Sequence, residues 1–365
     1  MDVVYIAQRT IAERSLAQGD APVLLMVSGG SDSTALAYIA QELARRGAIG
    51  PLAAIHVNHK LRGDAADADA AFVAKLADEL DIPLFSCEID IPAMVEAERG
   101  NIEAIARRER YRAAQEALVS LCRHFGVPIS SGRIFTAHTA DDRIENFYMR
   151  SIVGTGPGGF RSMLYLNGQI ARPLLEVGRQ DLRDYLEGLE HSVRDEAGAL
   201  WREDATNEHT DRFRAFVRSQ IVPRAKERNP QLIQTLTRTM NLIADEDDML
   251  DERAFELEER SVRWIAQAEA SIADFGEGCV LLPGLGHEPQ PMQRRVLMNV
   301  LGRILGPDAR VETASIDAAL AAFGAEGDIA SGYTANIQGD YAVSANKKGV
   351  RIEPMAVYRA RRKRG

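Results

Sequence analysis

Residues 27–33 read VSGGSDS, two glycines among serines with an aspartate behind them. A phosphate-binding loop needs backbone N–H groups that converge on one point, glycines for a sharp turn and close approach, and the N-terminus of a helix. This stretch meets each need. Gly29 and Gly30 form the turn, Ser28, Ser31 and Ser33 supply hydroxyls, and helical spacing follows from Thr34. Asp32 is the unusual member, because a carboxylate repels an anion. It makes sense if it holds Mg²⁺ bridging the phosphates. Neither G-x-x-x-x-G-K-S/T nor G-x-G-x-x-G is present, so a loop that cleaves the β–γ bond and a dinucleotide site are both unexpected. A serine–glycine turn of no consequence is the plain alternative, and the loop's place between a strand and a helix argues against it.

The surrounding pattern positions this loop. Residues 21–27 (APVLLMV) form a continuous apolar run, as in a buried parallel strand. Further strands are expected at 51–59, 83–90 and 133–139, with helices at 3–18, 33–47, 67–81, 101–126 and 140–154. Strand and helix alternate, which implies a doubly wound parallel sheet whose ligands bind at the carboxyl ends of the strands. After the glycine-rich 154–160 come a helix at 176–189, an arginine-studded helix within 201–230 and a long acidic helical stretch over 231–270. Residues 280–355 mix helix and short strands. The expected organisation is a catalytic domain over 1–224, a helical connector over 225–275 and a small α+β domain over 276–365.

Composition narrows the class. The 365 residues carry a net charge of −9, which argues against indiscriminate nucleic-acid binding and leaves RNA open. No run of about 18 apolar residues suggests a membrane span, and the N-terminal stretch lacks the pattern of a signal peptide. Three scattered cysteines, Cys87, Cys122 and Cys279, suggest a reducing compartment, and the cytoplasm is the default expectation. The terminal YRARRKRG reads first as a frayed, solvated tail and second as an electrostatic grip on an RNA backbone.

S-G-G-x-D-S after the first strand resembles the mark of the PP-loop ATP pyrophosphatases. That resemblance implies an adenine nucleotide alpha-hydrolase-like sheet and cleavage of ATP between its α and β phosphates. Further stretches resemble the tRNA(Ile)-lysidine synthetase branch: HVNHKLRGD (56–64), NIEAIARRERY (101–111), TAHTADDRIEN (136–146), GTGPGGFRSM (154–163) with RPLL (172–175), and EDATNEHTDRFRAFVRSQIVP (203–223). The likeness runs from about residue 21 to 230 and is only loose beyond. It implies that the wobble cytosine of tRNA(Ile) with a CAU anticodon is adenylated on its base oxygen, and that the amine of free L-lysine displaces AMP. ATP and Mg²⁺ are the expected reagents, tRNA(Ile) and lysine the partners, and a homodimer is compatible with the sequence. A tRNA thiolase with the same first half-reaction, or a nucleotide-binding module without turnover, are the alternatives. No C-x-x-C is present to carry sulfur.

The resemblance and the sheet geometry together assign roles. Ser28, Gly29, Gly30, Ser31, Asp32, Ser33, His56, Asn58 and His138 are expected at ATP, and Asp32 and Asp142 at the metal. Asp32, Asp142 and Arg107 are the expected catalytic residues. Asp142 would orient the metal or the incoming amine; its plain alternative, shared by Asp141, is a helix N-terminus favoured by the dipole. Arg107 and Arg110, three apart on one helix, would suit the transferring phosphate or be a solvated face. Arg172, Arg179, Arg214 and Arg218 are expected to contact tRNA. Lys60, Thr139, His209 and Ala215 depart from the family pattern, and the last two fall on the expected tRNA side.

Overall fold

The computed structural model describes residues 2–61, 63–203, 212–265, 275–306 and 309–364. His209 and the rest of 204–211 thus lie outside the described residues. The chain packs as two units, Met1–Ile243 and Ala244–Gly365, and the expected limits at 224 and 275 flank this single division.

The first unit runs α1 (Val3–Glu13), β1 (Val23–Met26), α2 (Ser31–Arg45), β2 (Leu52–Asn58), α3 (Asp64–Glu79), β3 (Leu84–Glu88), α4 (Ile91–Glu98), α5 (Ile102–His124), β4 (Arg133–Phe135), α6 (Ala140–Val153), β5 (Leu166–Asn167), β6 (Ile170–Ala171) and α7 (Arg179–Glu187). Then α8 (Arg212–Phe216) passes through one π-helical turn (Val217–Ile221) into α9 (Val222–Arg228), and α10 (Leu232–Ser261) follows. The sheet order is β3-β2-β1-β4-β6-β5, parallel except for the edge strand β5. The doubly wound α/β fold expected from the alternation is therefore present. The chain moves outward from β1 to β3 and then returns to β4 on the other side of β1. A crevice consequently opens where the carboxyl ends of β1 and β4 diverge.

Both faces of β1 are apolar because both are covered. Val23 and Leu25 join α1, α2, α3 and α7 in one core, while Leu24 joins Ile91, Ala114, Leu118 and Ile134 in another. A third cluster packs Ile144 of α6 against Val217, Val222, Leu232 and Met240, which holds the arginine-bearing helices beside α6. Helix α4 was not expected from the apolar pattern. Its signal is a cap: the Asp90 carboxylate accepts from the Ala93 N–H, and Pro92 sits in the first turn. The β5–β6 pair is too short to show any periodicity.

The second unit contains β7 (Val262–Trp264), β8 (Cys279–Leu281), α11 (Gln290–Leu305), α12 (Thr313–Leu320), β9 (Thr334–Ile337), β10 (Tyr341–Asn346), β11 (Gly349–Pro354) and α13 (Met355–Arg364). Its antiparallel sheet has the order β7-β8-β11-β10-β9. Val296, Val300 and Leu301 of α11 share its core with Val343, Val350 and Ile352. The basic end of the chain forms α13 where a frayed tail was the first expectation. Arg361 pairs with the fully buried Glu353 and donates to Ser344 Oγ, which pins the helix to β10 and β11.

A buried polar network ties the first unit together. Arg143 of α6, wholly buried, donates to Tyr165 Oη at 2.9 Å and to Asn241 Oδ1 at 2.7 Å. Tyr165 Oη and Asn241 Nδ2 both donate to Glu176 Oε1, and Arg9 pairs with Glu176 Oε2 at 2.6 Å. Helices α1 and α10 thus share one carboxylate, and α6 joins it through Tyr165 and Asn241. Glu176→Gln keeps the shape but strands the Arg143 charge. It should cost roughly 3–5 kcal/mol in urea unfolding, the range for an uncompensated buried charge. A loss below about 1 kcal/mol would show that Arg9 and Glu176 do not hold the network.

Candidate active site at the ends of β1 and β4

The loop after β1 has the geometry of an anion cradle. Gly29 takes φ +91°, a conformation that favours glycine, and Gly30 precedes α2 with no side chain capping the helix. Helix α2 begins at Ser31, three residues earlier than the spacing from Thr34 suggests, so Ser31, Asp32 and Ser33 lie in its first turn. Ser33 Oγ accepts from the Ser28 N–H at 3.2 Å and donates to the Gly30 carbonyl at 3.1 Å, while Thr34 Oγ1 donates to the Gly29 carbonyl at 3.2 Å. These bonds fix the turn and leave the first N–H groups of α2 at the positive end of its dipole.

Opposite the loop, β4 hands over to α6 through a capping box. The Asp142 carboxylate accepts from the Thr139 N–H at 2.9 Å and the Thr139 hydroxyl at 3.0 Å, and Thr139 Oγ1 accepts from the Asp142 N–H in return. Thr139, one of the departures from the family pattern, is what holds Asp142. Between the two aspartates lies Arg179, the first residue of α7. Its Nε is 3.1 Å from Asp32 Oδ2 and its Nη2 3.0 Å from Asp142 Oδ1. Arg214 pairs with Asp142 at 3.0 Å and with Glu145 at 2.8 Å, and Arg218 pairs with Glu145 at 2.7 Å. Burial pushes the Asp32 carboxyl above its ordinary range despite Arg179. Burial acts the same way on Asp142, but Arg179, the Thr139 N–H, His138 and Arg214 outweigh it and hold that carboxyl below its ordinary range.

A cavity of about 810 Å³ adjoins the loop. Ser28, Ser33 and His138 line its polar end, and Met26, Ile55, Val57 and Ile102 its apolar wall. An apolar wall beside a phosphate cradle suits a nucleoside attached to its phosphates. Arg110 and Tyr111 also line it, whereas Arg107 is exposed and stacks on Tyr111 at 5.0 Å. Of the two arginines on that helix, Arg110 is the one in the cavity wall.

The other expected residues divide by position. His56 and Asn58 are buried in the cavity wall and also hold backbone: His56 Nδ1 lies 2.9 Å from the Val27 carbonyl, and Asn58 binds Asp67 Oδ1 and the Lys60 N–H. Asp141 accepts from the Arg179 N–H at 2.7 Å and from Lys226 Nζ at 2.8 Å, so it anchors α7 and α9. Arg179, Arg214 and Arg218 all engage carboxylates at the site, whereas Arg172 is buried and donates to the Leu164 carbonyl at 2.7 Å. Ala215 lies next to Arg214 on α8. Glu145, 2% exposed in its side chain, joins the site as a third carboxylate that the sequence reading does not assign. The signal was available, since it lies three residues after Asp142 on one helix face.

Two carboxylates sharing one cation form a hard oxygen donor set. Such a set fits Mg²⁺, which commonly takes one or two carboxylates and completes its shell with phosphate and water. Among the described residues no group of three or more His, Cys, Asp or Glu could enclose a metal. Asp32 and Asp142 therefore suit an ion arriving with phosphates. Two of the cysteines are poor nucleophiles: burial raises the Cys122 thiol and pushes Cys279 up to about 12, which disfavours the thiolate.

A model of the PP-loop domain family matches residues 4–225. The chain is 36% identical over 244 residues to the tRNA(Ile)-lysidine synthase of Chlorobaculum tepidum, covering 66% of this chain and 67% of that one. The chain belongs to the PP-loop family, on its tRNA(Ile)-lysidine synthase branch. Relatives of the same name from Geobacter sulfurreducens and Thermus thermophilus are 30% and 31% identical over 84% and 85% of this chain. The chain spans 60% and 54% of the length of those two proteins. Among solved structures, a U34-tRNA thiolase from Methanococcus maripaludis is similar at a TM-score of 0.47 and 18% identity, covering 67% of this chain and 79% of that one. The matched PP-loop region contains the loop 28–33, the cavity and the carboxylate–arginine cluster. No described helix is long and apolar enough to cross a membrane.

The histidine at this PP-loop site gives a pH signature. Burial, with Arg172, Arg107 and Arg110 nearby, lowers His138 to about 4 from an ordinary 6.5, and Asp142 offsets this only in part. A histidine lowered by folding adds stability above its unfolded value, and that stability is lost as pH falls towards the folded value. The unfolding midpoint should therefore drop between pH 6.5 and 4, and His138→Gln should flatten part of that slope. An unchanged slope in His138→Gln would show that this histidine does not titrate as its surroundings dictate.

Proposed function

We propose that this protein ligates free L-lysine to the wobble cytidine of tRNA(Ile) with a CAU anticodon. ATP is split to AMP and pyrophosphate through an adenylated cytosine. The observation that carries this reading is the Asp32–Arg179–Asp142 bridge at the phosphate cradle, with a cavity large enough for a nucleoside adjoining the same loop. The relatives' shared name supplies the substrate class.

In this reading the N–H groups of the loop and of the first turn of α2 hold the β and γ phosphates, and the wall from Met26 to Val57 takes the adenosine. The base oxygen of the cytosine attacks the α phosphorus and pyrophosphate leaves. The lysine amine then attacks the activated base carbon, and AMP leaves with the oxygen. Arg179 and Arg214 offer guanidinium charge where charge builds on the transferring group. Asp32 and Asp142 would hold Mg²⁺, which would neutralise phosphate charge when bound. His138, neutral near pH 7, lines the site without adding a positive charge of its own. A cytoplasmic location fits a tRNA substrate and three free cysteines.

The second unit offers a surface for the RNA. Arg359, Arg362 and Lys363 of α13 are exposed, as are Lys347 and Lys348 in the β10–β11 turn. Arg361 is held by Glu353 and Arg362 donates to Tyr358 Oη, so the helix is fixed in place while Arg359 and Lys363 stay exposed towards phosphates.

The decisive assay incubates the protein with ATP, Mg²⁺ and tRNA(Ile), with and without lysine, and follows pyrophosphate and nucleoside mass. Lysine-dependent mass gain is expected, and modification that needs a sulfur donor instead would replace ligation with thiolation. Asp32→Ala should cut pyrophosphate release by about a hundredfold or more in a folded protein, and retained activity would remove its metal role. Changing Lys347, Lys348, Arg359 and Lys363 to Gln should weaken tRNA binding and flatten its salt dependence by up to about 0.9 log units per lost contact. An unchanged salt slope would place the RNA elsewhere.

A further inference from the structure

The phosphate cradle is held from behind by a residue that lies outside the loop and outside the cluster of carboxylates. Arg202 donates its backbone N–H to the Gly29 carbonyl at 2.8 Å. Its side chain then grips two separate elements. Nε binds Asp69 Oδ1 of α3 at 2.9 Å, and Nη1 binds Asp195 Oδ2 at 2.8 Å. Both acidic side chains are nearly buried, at 8% and 9% exposure. Asp195 is itself fixed, because its Oδ1 accepts from the Ala197 and Ala199 N–H groups. A Cβ on Gly29 would meet Arg202 Cγ at 3.4 Å and Phe72 and Val73 of α3 at 3.5 Å, so the loop, Arg202 and α3 are in close packing.

We infer that Arg202 is a positioning residue for the pyrophosphate half of the nucleotide, acting through the Gly29 peptide. The left-handed turn at Gly29 aims the N–H groups after it into the cradle. That peptide has no side chain to brace it, and its carbonyl is held by Thr34 Oγ1 on one side and by the Arg202 N–H on the other. The two-carboxylate grip on the guanidinium keeps the Arg202 backbone in place, as charge-assisted bonds to preorganised acceptors do. Asp69 lines the cavity as well, so the grip connects the cradle to the cavity wall.

This inference rests on the reading of 28–33 as the loop that holds the β and γ phosphates, and its test separates the two. ATP and AMP affinities are measured by calorimetry with Mg²⁺ for the full chain, Arg202→Gln, Arg202→Lys and Asp195→Asn. Thermal midpoints are taken without nucleotide. Arg202→Gln should weaken ATP by about tenfold or more and leave AMP within about twofold, because AMP lacks the two phosphates at the loop. Arg202→Lys should recover part of the ATP affinity, and Asp195→Asn, at the carboxylate that does not line the cavity, should weaken ATP alone to a smaller degree. Equal losses for ATP and AMP, or an unchanged ATP affinity, would overturn the positioning role. An unaltered chain that binds no ATP at all would overturn the reading of the loop itself.

Discussion

One guanidinium holds two carboxylates that come from opposite sides of a crevice. Asp32 rides on the helix after β1 and Asp142 on the helix after β4, and Arg179 reaches both from a third helix. Two carboxylates this close repel each other unless a cation lies between them, and burial makes the repulsion worse. The rest of the first unit keeps that cation in position. Asp141 receives the first N–H of α7, Lys226 anchors α9 to the same aspartate, and Glu145 collects Arg214 and Arg218. The sheet sets the separation of the two aspartates, and the helices supply the charge that lets them stay.

The cradle needs only a strand, two glycines and a helix. The third wall of this site is built by α6 to α9, where the arginines gather. Their packing partner is the apolar cluster around Ile144 and Val217, so the reactive edge of α6 and its buried edge are fixed by the same neighbours. The π-helical turn at Val217–Ile221 carries Arg218 and separates Arg214 from Val222, at a point where an ordinary helix would present a different face.

Much of this was legible in the amino-acid order. The apolar runs gave the strands, their alternation with helical spacing gave the parallel sheet, and the sheet gave the edge where ligands meet it. The position of the loop, of His138 and of Asp142 followed from that edge. Partnership was harder to read. Arg179, Arg214 and Arg218 have the look of RNA-contacting residues, and nothing in their spacing says that they converge on carboxylates up to 147 positions away. Arg107 and Arg110 share a helix face by spacing alone, yet only the latter lines the cavity, because α5 is rotated by its packing against β1 and β2. Arg202 carried no signal at all, since its role depends on a backbone bond to Gly29. Helix α13 was hidden by its composition: a run of basic residues reads as solvated until Glu353 is seen beneath it.

The three arginines and three acids at the crevice have one more consequence. Arg179, Arg214 and Arg218 balance Asp32, Asp142 and Glu145 charge for charge, so together they look like a compact multipole and their field dies away over a short range. A polyanion approaching from solution would feel almost nothing from this cluster, and on a chain of net charge −9 the background is repulsive. The crevice by itself therefore exerts little long-range pull on a polyanion. The crevice is electrically quiet until a ligand is close enough to separate its charges.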